Sequence, residues 1–137
     1  MADPGVLPAE DIEEVKTHTL LGAELLREAG LPELACNIAL YHHERWDGDG
    51  YPHGLVGDNI PLEARIVAVV DVFDALLVER SRGGGRSLPQ ALDALEDCVA
   101  AGQLDPDIAG SFMALQEGVA QVVRAWPPGA SRAEAWR

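Results

Sequence analysis

The chain has 137 residues, 47% hydrophobic content and a formal net charge of −13, the profile of one globular domain able to bury a core rather than of a disordered tail. That charge excludes a surface that grips polyanionic nucleic acid by counterion release. The sequence has no apolar run of about 18 residues and no export-signal pattern, so no membrane span is expected and a cytoplasmic location is.

The elements follow in chain order. Pro8 suits a first helical turn, Ile12, Val15, Thr19, Ala23 and Leu26 recur at helical spacing, and Gly30 supplies a stop, which predicts a helix over roughly 9 to 29. Pro32 starts a second helix, with Leu34, Ile38 and Tyr41 on one face, that ends near the pair His42 and His43. From Arg45 to Asn59 glycines accumulate without helical periodicity, so this stretch reads as a long ordered loop of the kind that carries function. Pro61 opens a third helix, apolar nearly all round between Ile66 and Leu77 and therefore expected to be the central buried one. SRGGGRS at 81 to 87 is the most flexible segment by composition. Ser87 with Gln90 forms a capping box for a fourth helix ending near Gly102, and Asp105 with Pro106 starts a fifth that runs to about Ala125. WPPGAS ends it, leaving residues 126–137 as a tail. The fold class is all-α, a bundle of about five helices. Cys36 and Cys98 lie inside helical patterns without metal-ligand spacing and read as buried, reduced thiols.

Four residues stand out chemically. Asp71 interrupts the apolar run VAVVDVFDAL, and a carboxylate in such surroundings needs a partner, a proton or a metal. Asp74 could share its face, with a cap or ion-pair role as the plainer reading. His18 flanks the stripe of the first helix, and His42 and His43 close the second. A single histidine of this kind is ordinarily structural, but three imidazoles and one carboxylate on three helices are the ligand types that hold iron, manganese, zinc or nickel in bundle cores. Adjacent histidines on a helix project about 100° apart, so the spacing alone is a weak signal. His53, beside Pro52, reads as a surface residue and not as a ligand.

KTHTLLGAELL, followed by IALYHHERWDGDGYPHGLVGDNIPLEARIVAVVDVFDAL, resembles the HD-GYP family, a bacterial branch of the HD-domain metal-dependent phosphohydrolases. The likeness runs in order from about residue 4 to about 114 and includes LDPDIAGSF. It implies an all-helical, HD-domain-like fold over residues 1–125 and a divalent transition-metal centre, commonly of iron or manganese, that hydrolyses cyclic di-GMP to pGpG or GMP. The family's metal-binding positions fall on His18, His42, His43 and Asp71. Its GYP signature falls on Gly50, Tyr51 and Pro52, in a loop with Trp46 and Asp47 that is associated with guanine contacts and with docking of GGDEF-type domains. Bound metals polarise a phosphoryl oxygen, lower the pKa of water and offset the charge of an acidic chain meeting an anionic dinucleotide.

The sequence also departs from the family pattern. The His-Asp dyad, usually within HDxGK upstream of a stretch like DPGVLP, is absent, as is the upstream acidic ligand of trinuclear members. RSRG stands where RPYK or RPYR is usual, and Val70 replaces an alanine. The expectation is an N-terminally truncated domain whose single chain is impaired in assembling the whole centre. Three accounts fit: a fragment of a longer protein, a short form completed by a helix from another chain, or a module that binds nucleotide or partner without hydrolysis. A missing helix uncovers an apolar face, so a dimer is also expected.

Overall fold

The computed structural model describes residues 9–78 and 86–125. The stretch 3–8, Arg82 and Gly83 of the glycine-rich segment, and the tail 126–137 lie outside the described residues. Every regular element among the described residues is helical: α1 (Ala9–Glu28), α2 (Glu33–Tyr41), a 3₁₀ turn (Gly57–Asn59), α3 (Leu62–Val78), α4 (Leu88–Ala100), α5 (Pro106–Ala114) and α6 (Gln116–Ala125). None of these helices is long and apolar enough to cross a membrane.

Local chemistry explains most of the boundaries. After α1, Gly30 adopts φ 71, and the N–H groups of Gly30 and Leu31 close on the carbonyls of Arg27 and Leu26 at 3.0 Å. Glycine reaches this left-handed conformation without steric cost. Pro32 caps α2, and its carbonyl accepts from Ala35 at 2.9 Å. Ser87 and Gln90 form a reciprocal capping box at the start of α4, and the Asp105 carboxylate accepts from the N–H groups of Asp107 and Ile108 at the start of α5.

One expectation fails here. The run from Pro106 to Ala125 is two helices, because Leu115 leaves helical geometry at φ −92, ψ 20 and its N–H turns to the Phe112 carbonyl at 3.1 Å. The described residues therefore form six α-helices rather than five. The sequence hides the break, since Ile108, Phe112, Val119 and Val123 recur at helical spacing straight across it and all pack on the same apolar cluster.

The chain divides into two compact units, up to Val67 and from Ala68 onward, with α3 beginning in the first and continuing in the second. In the first unit α1 lies close on α2 because the facing residues are small: a Cβ added at Gly22 would sit 3.8 Å from that of Ala39. Thr19, Ala23 and Cys36 are buried there, and Ile60 and Ala64 are buried around the start of α3. The Asn37 amide donates to the Glu63 carboxylate at 2.8 Å, tying α2 to the first turn of α3 and holding that carboxyl below its usual range. Leu34 is 57% exposed, so the face of α2 that turns inward is that of Cys36 and not the expected Leu34 stripe.

The second unit is built on a conventional apolar core. Ala68, Val69, Phe73 and Leu77 of α3 pack with Ala91 and Leu95 of α4, Leu104, and Ala109 of α5. Phe73 and Phe112 meet edge to face at 5.0 Å between ring centres. Cys98 is half-buried against this cluster, and Cys36 is buried in the first unit. The expectation of a third helix buried all round is corrected: Leu62, Ile66 and Val70 are exposed at 54, 46 and 47%. An apolar run does not by itself bury a helix, which needs neighbours on every side.

Candidate metal centre

α2 stops where helix-forming sequence gives way to turn chemistry. His42 is its C-cap, with its N–H on the Ile38 carbonyl at 3.1 Å, and Glu44 N–H closes on the Tyr41 carbonyl at 2.9 Å. His42 and His43 are thus placed at the mouth of the loop. His18 stands on α1 one turn before Gly22, which faces Ala39 of α2.

The three imidazoles converge. Ring centres are 5.5 Å apart for His18 and His42, 5.1 Å for His18 and His43, and 4.1 Å for His42 and His43. One ring nitrogen from each lies within 4.8 Å of the other two. Nδ1 of His18 faces the Val15 carbonyl, and Nδ1 of His42 faces those of Ile38 and Ala39 at 2.9 and 3.0 Å. An imidazole that donates from Nδ1 carries its lone pair on Nε2, and these two Nε2 atoms face each other across 3.5 Å.

That arrangement fits a metal ion. Two lone pairs pointing at one another repel, and a cation between them relieves the repulsion. Bonds of about 2.1 Å at tetrahedral angles place ligand nitrogens about 3.4 Å apart, close to the 3.5 Å between His18 and His42. The 4.8 Å limit for the whole trio asks for a further side-chain shift of about 1 Å on that geometry. His18 is exposed and His42 and His43 are half-buried, so a three-histidine set here leaves positions open to water or substrate. The backbone carbonyls behind the Nδ1 atoms are the outer contacts that fix tautomer and ring direction at metal sites.

Asp71 stands differently. It lies on α3 in the second unit and is exposed, so the expectation of a carboxylate sunk among apolar neighbours is corrected. At about 100° per residue it falls opposite the sector of Val69, Leu76 and Phe73 that meets the apolar cluster. Asp74 is exposed as well.

The loop residues surround the histidines. The Tyr51 ring stacks on His43 at 4.8 Å and 28°, its N–H donates to the His43 carbonyl at 3.2 Å, and its edge approaches His18 at 6.5 Å. The Tyr51–Pro52 peptide is cis. The Arg45 guanidinium holds the Asp47 carboxylate through two hydrogen bonds, 3.0 and 2.6 Å, and Asp47 also accepts from the Asp49 N–H. With Arg45 as the main cause, its carboxyl drops from the ordinary 3.8 to about 2. Asp47 therefore serves the turn that carries Gly50. Trp46 is half-buried with the Arg65 guanidinium 5.7 Å from its ring centre, and Arg65 pairs with Asp58 at 2.9 Å. His53 is exposed and its ring lies 5.7 Å from that of Tyr41.

Two further residues stand beside the cluster, Lys16 of the KTH stretch and Glu44 directly after the histidine pair. Lys16 places its ammonium 5.6 Å from the Tyr51 ring centre. Glu44 is buried, and its two carboxyl oxygens accept the N–H groups of His53 and Leu55 at 2.7 and 2.9 Å. Glu44 belongs to the HHE…GYP block that carries the family resemblance, which marks the residue but does not reveal its bonds.

The HD domain family profile matches residues 2–108. A cyclic di-GMP phosphodiesterase of Thermotoga maritima is 39% identical over 124 residues, covering 88% of this chain and 33% of that protein. The cyclic di-GMP phosphodiesterase response regulator RpfG of Xanthomonas campestris is 54% identical over 79 residues, 56% of this chain and 21% of that one. A 3'3'-cGAMP-specific phosphodiesterase of Vibrio cholerae is 46% identical over 80 residues, 57% of this chain and 15% of its own length. The chain thus spans a third or less of the length of these curated relatives.

Proposed function

The chain belongs to the HD-domain family, within its HD-GYP branch, and from that premise we propose that it carries the histidine part of a divalent-metal centre for hydrolysing a cyclic dinucleotide, cyclic di-GMP first. The observation that supports the reading is the pair of Nε2 atoms of His18 and His42, 3.5 Å apart with each Nδ1 on a backbone carbonyl. His43 completes the trio. For Asp71 the support is the sequence resemblance alone. Iron or manganese is the proposed occupant, with zinc or nickel as alternatives on donor type.

When bound, a metal of this kind polarises a phosphoryl oxygen and lowers the pKa of water. The chain's own residues do the rest. The Val15, Ile38 and Ala39 carbonyls hold His18 and His42 with Nε2 forward. The Tyr51 ring backs His43. Lys16 stands beside Tyr51 at the rim, with its ammonium paired to the Glu13 carboxylate at 2.7 Å.

A second reading has one observation in its favour: the 137 residues contain no His-Asp pair, so these residues alone do not supply the family's dyad. On that reading the chain binds a cyclic dinucleotide or a GGDEF-type domain through Trp46, Asp47, Gly50, Tyr51 and Pro52 without hydrolysing it. We further propose self-association as a dimer through the exposed Leu21 and Leu25 of α1, Leu31 before α2 and Leu34 within it.

One set of measurements separates these readings. Purified chain and its His42→Ala/His43→Ala variant are given manganese or iron, with cyclic di-GMP and 3'3'-cGAMP as substrates. The first reading expects metal uptake and turnover in the wild type and neither in the variant. Nucleotide binding with equal background rates in both supports the second. Light scattering on the same samples tests self-association, and a clean monomer at high concentration refutes it.

A further inference from the structure

We infer that Glu44 is a positioning residue for the metal centre: by tying down residues 44–55 it holds the Tyr51 ring against the His43 imidazole and so sets the direction in which His43 presents its nitrogen. The inference rests on the metal-centre reading above. It adds a residue that touches no ligand atom of the trio and works through its neighbour.

Burial is the first argument. Glu44 is only 4% exposed, and a carboxyl group withdrawn from water is costly unless its oxygens are satisfied. Both are: one accepts from His53 N–H and the other from Leu55 N–H. These partners lie nine and eleven residues further along. One side chain therefore fastens the far end of the loop to its near end, directly after the histidine pair.

The second argument is the close fit of the backbone inside that fastening. A Cβ at Gly50 would collide with Arg45 N and Glu44 Cα. The chain doubles back flat on the Glu44 backbone, where only glycine has room. Tyr51 is then confined between two fixed points, Gly50 on one side and the His53 N–H on the other.

The third argument is what Tyr51 does there. Its N–H reaches the His43 carbonyl and its ring lies nearly parallel to the imidazole. His18 and His42 face carbonyls of their own helices, and His43, past the last turn of α2, has the Tyr51 face against it. Outer contacts that set the direction of a ligating histidine typically change metal affinity by about 10 to 100-fold when removed.

The test uses cobalt as a spectroscopic probe of the whole chain. Glu44→Gln keeps the shape of the side chain but turns one oxygen into an NH₂ group aimed at a backbone N–H. It should weaken cobalt binding roughly 10-fold and alter the visible absorption of the bound ion. In the metal-free protein the His43 imidazole signals should move away from their position under the Tyr51 ring, and farther than those of His18, whose ring centre lies 6.5 Å from that of Tyr51 against 4.8 Å for His43. Tyr51→Leu, which leaves the carboxyl bonds in place, should show the same loss, and Tyr51→Phe should restore binding. If Glu44→Gln fails to fold, the Tyr51 pair decides the matter: loss in Leu with recovery in Phe supports the inference, and wild-type affinity in Leu overturns it. Wild-type affinity and unchanged His43 signals in a folded Glu44→Gln overturn it as well, with the metal centre itself left standing. A wild-type chain that takes up no cobalt overturns both.

Discussion

From Ala68 onward the chain buries a continuous apolar cluster in which Ala91, Leu95 and Ala109 are fully inaccessible, whereas the unit that holds the histidines buries Thr19 and Glu44 along with Ala23, Cys36, Ile60 and Ala64. Nine of the twelve large apolar side chains exposed among the described residues, from Val15 to Ile66, fall in that first unit. The second unit is held by area removed from water, at roughly 25 cal/mol per Å² and with little directional demand. The first is shaped by directional contacts: carboxyl oxygens on backbone N–H groups, Gly50 against backbone, Gly22 against Ala39. The unit that holds the histidines uses its interior for placement, and Leu20, Leu21, Leu25, Leu31, Leu34 and Leu62 stay exposed.

Leu95→Ala should break the comparison most visibly if it is wrong. Leu95 is 0% exposed, and truncating a fully buried leucine costs about 3 kcal/mol. Urea unfolding followed on α4 to α6 should shift by that amount, while cobalt uptake by the histidines before the transition stays at the wild-type level. A parallel loss of cobalt affinity would show that the units do not divide the work in this way.

Metal should act on the other unit. At 100 times its dissociation constant a bound ion stabilises the state that holds it by about 2.7 kcal/mol. Hydrogen exchange should therefore slow at amides of α1 and α2 when manganese is added and stay unchanged in α4 to α6. Uniform protection along the whole chain would be the adverse result.

The smallest expected effect is at Asp47. Its folded carboxyl lies at about 2 against an ordinary 3.8, so its contribution is fully present above about 3.8 and is lost as pH falls through about 2. The group is exposed to solvent and its pairing with Arg45 is screened, so the change should be local. The indole NMR signal of Trp46 should move between pH 4 and 2 in the wild type and stay still in Asp47→Asn.

Much of the fold was legible because its signals are local. Ser87 with Gln90, Asp105 with Pro106, and Gly30 each act within one helical turn, and each ends or begins a helix where read. The break at Leu115 was not legible, because the apolar spacing on both sides of it is that of a continuous helix. Nor was the exposure of Leu34, Ile66, Val70 and Asp71, since pattern tells which residues share a face but not whether a neighbour covers it.

The sequence by itself determined the all-helical class, the helix ends set by caps and glycines, the loop after His43 and the family, because these depend on propensities and motifs that act over a few neighbouring residues. Only the tertiary structure decided that His18 meets His42 across 24 positions, that Asp71 lies in water, and that Glu44 closes its loop from inside. Each of these turns on which groups become neighbours once helices pack, and packing is governed by the shape and size of facing side chains such as Gly22 and Ala39, which no local pattern encodes.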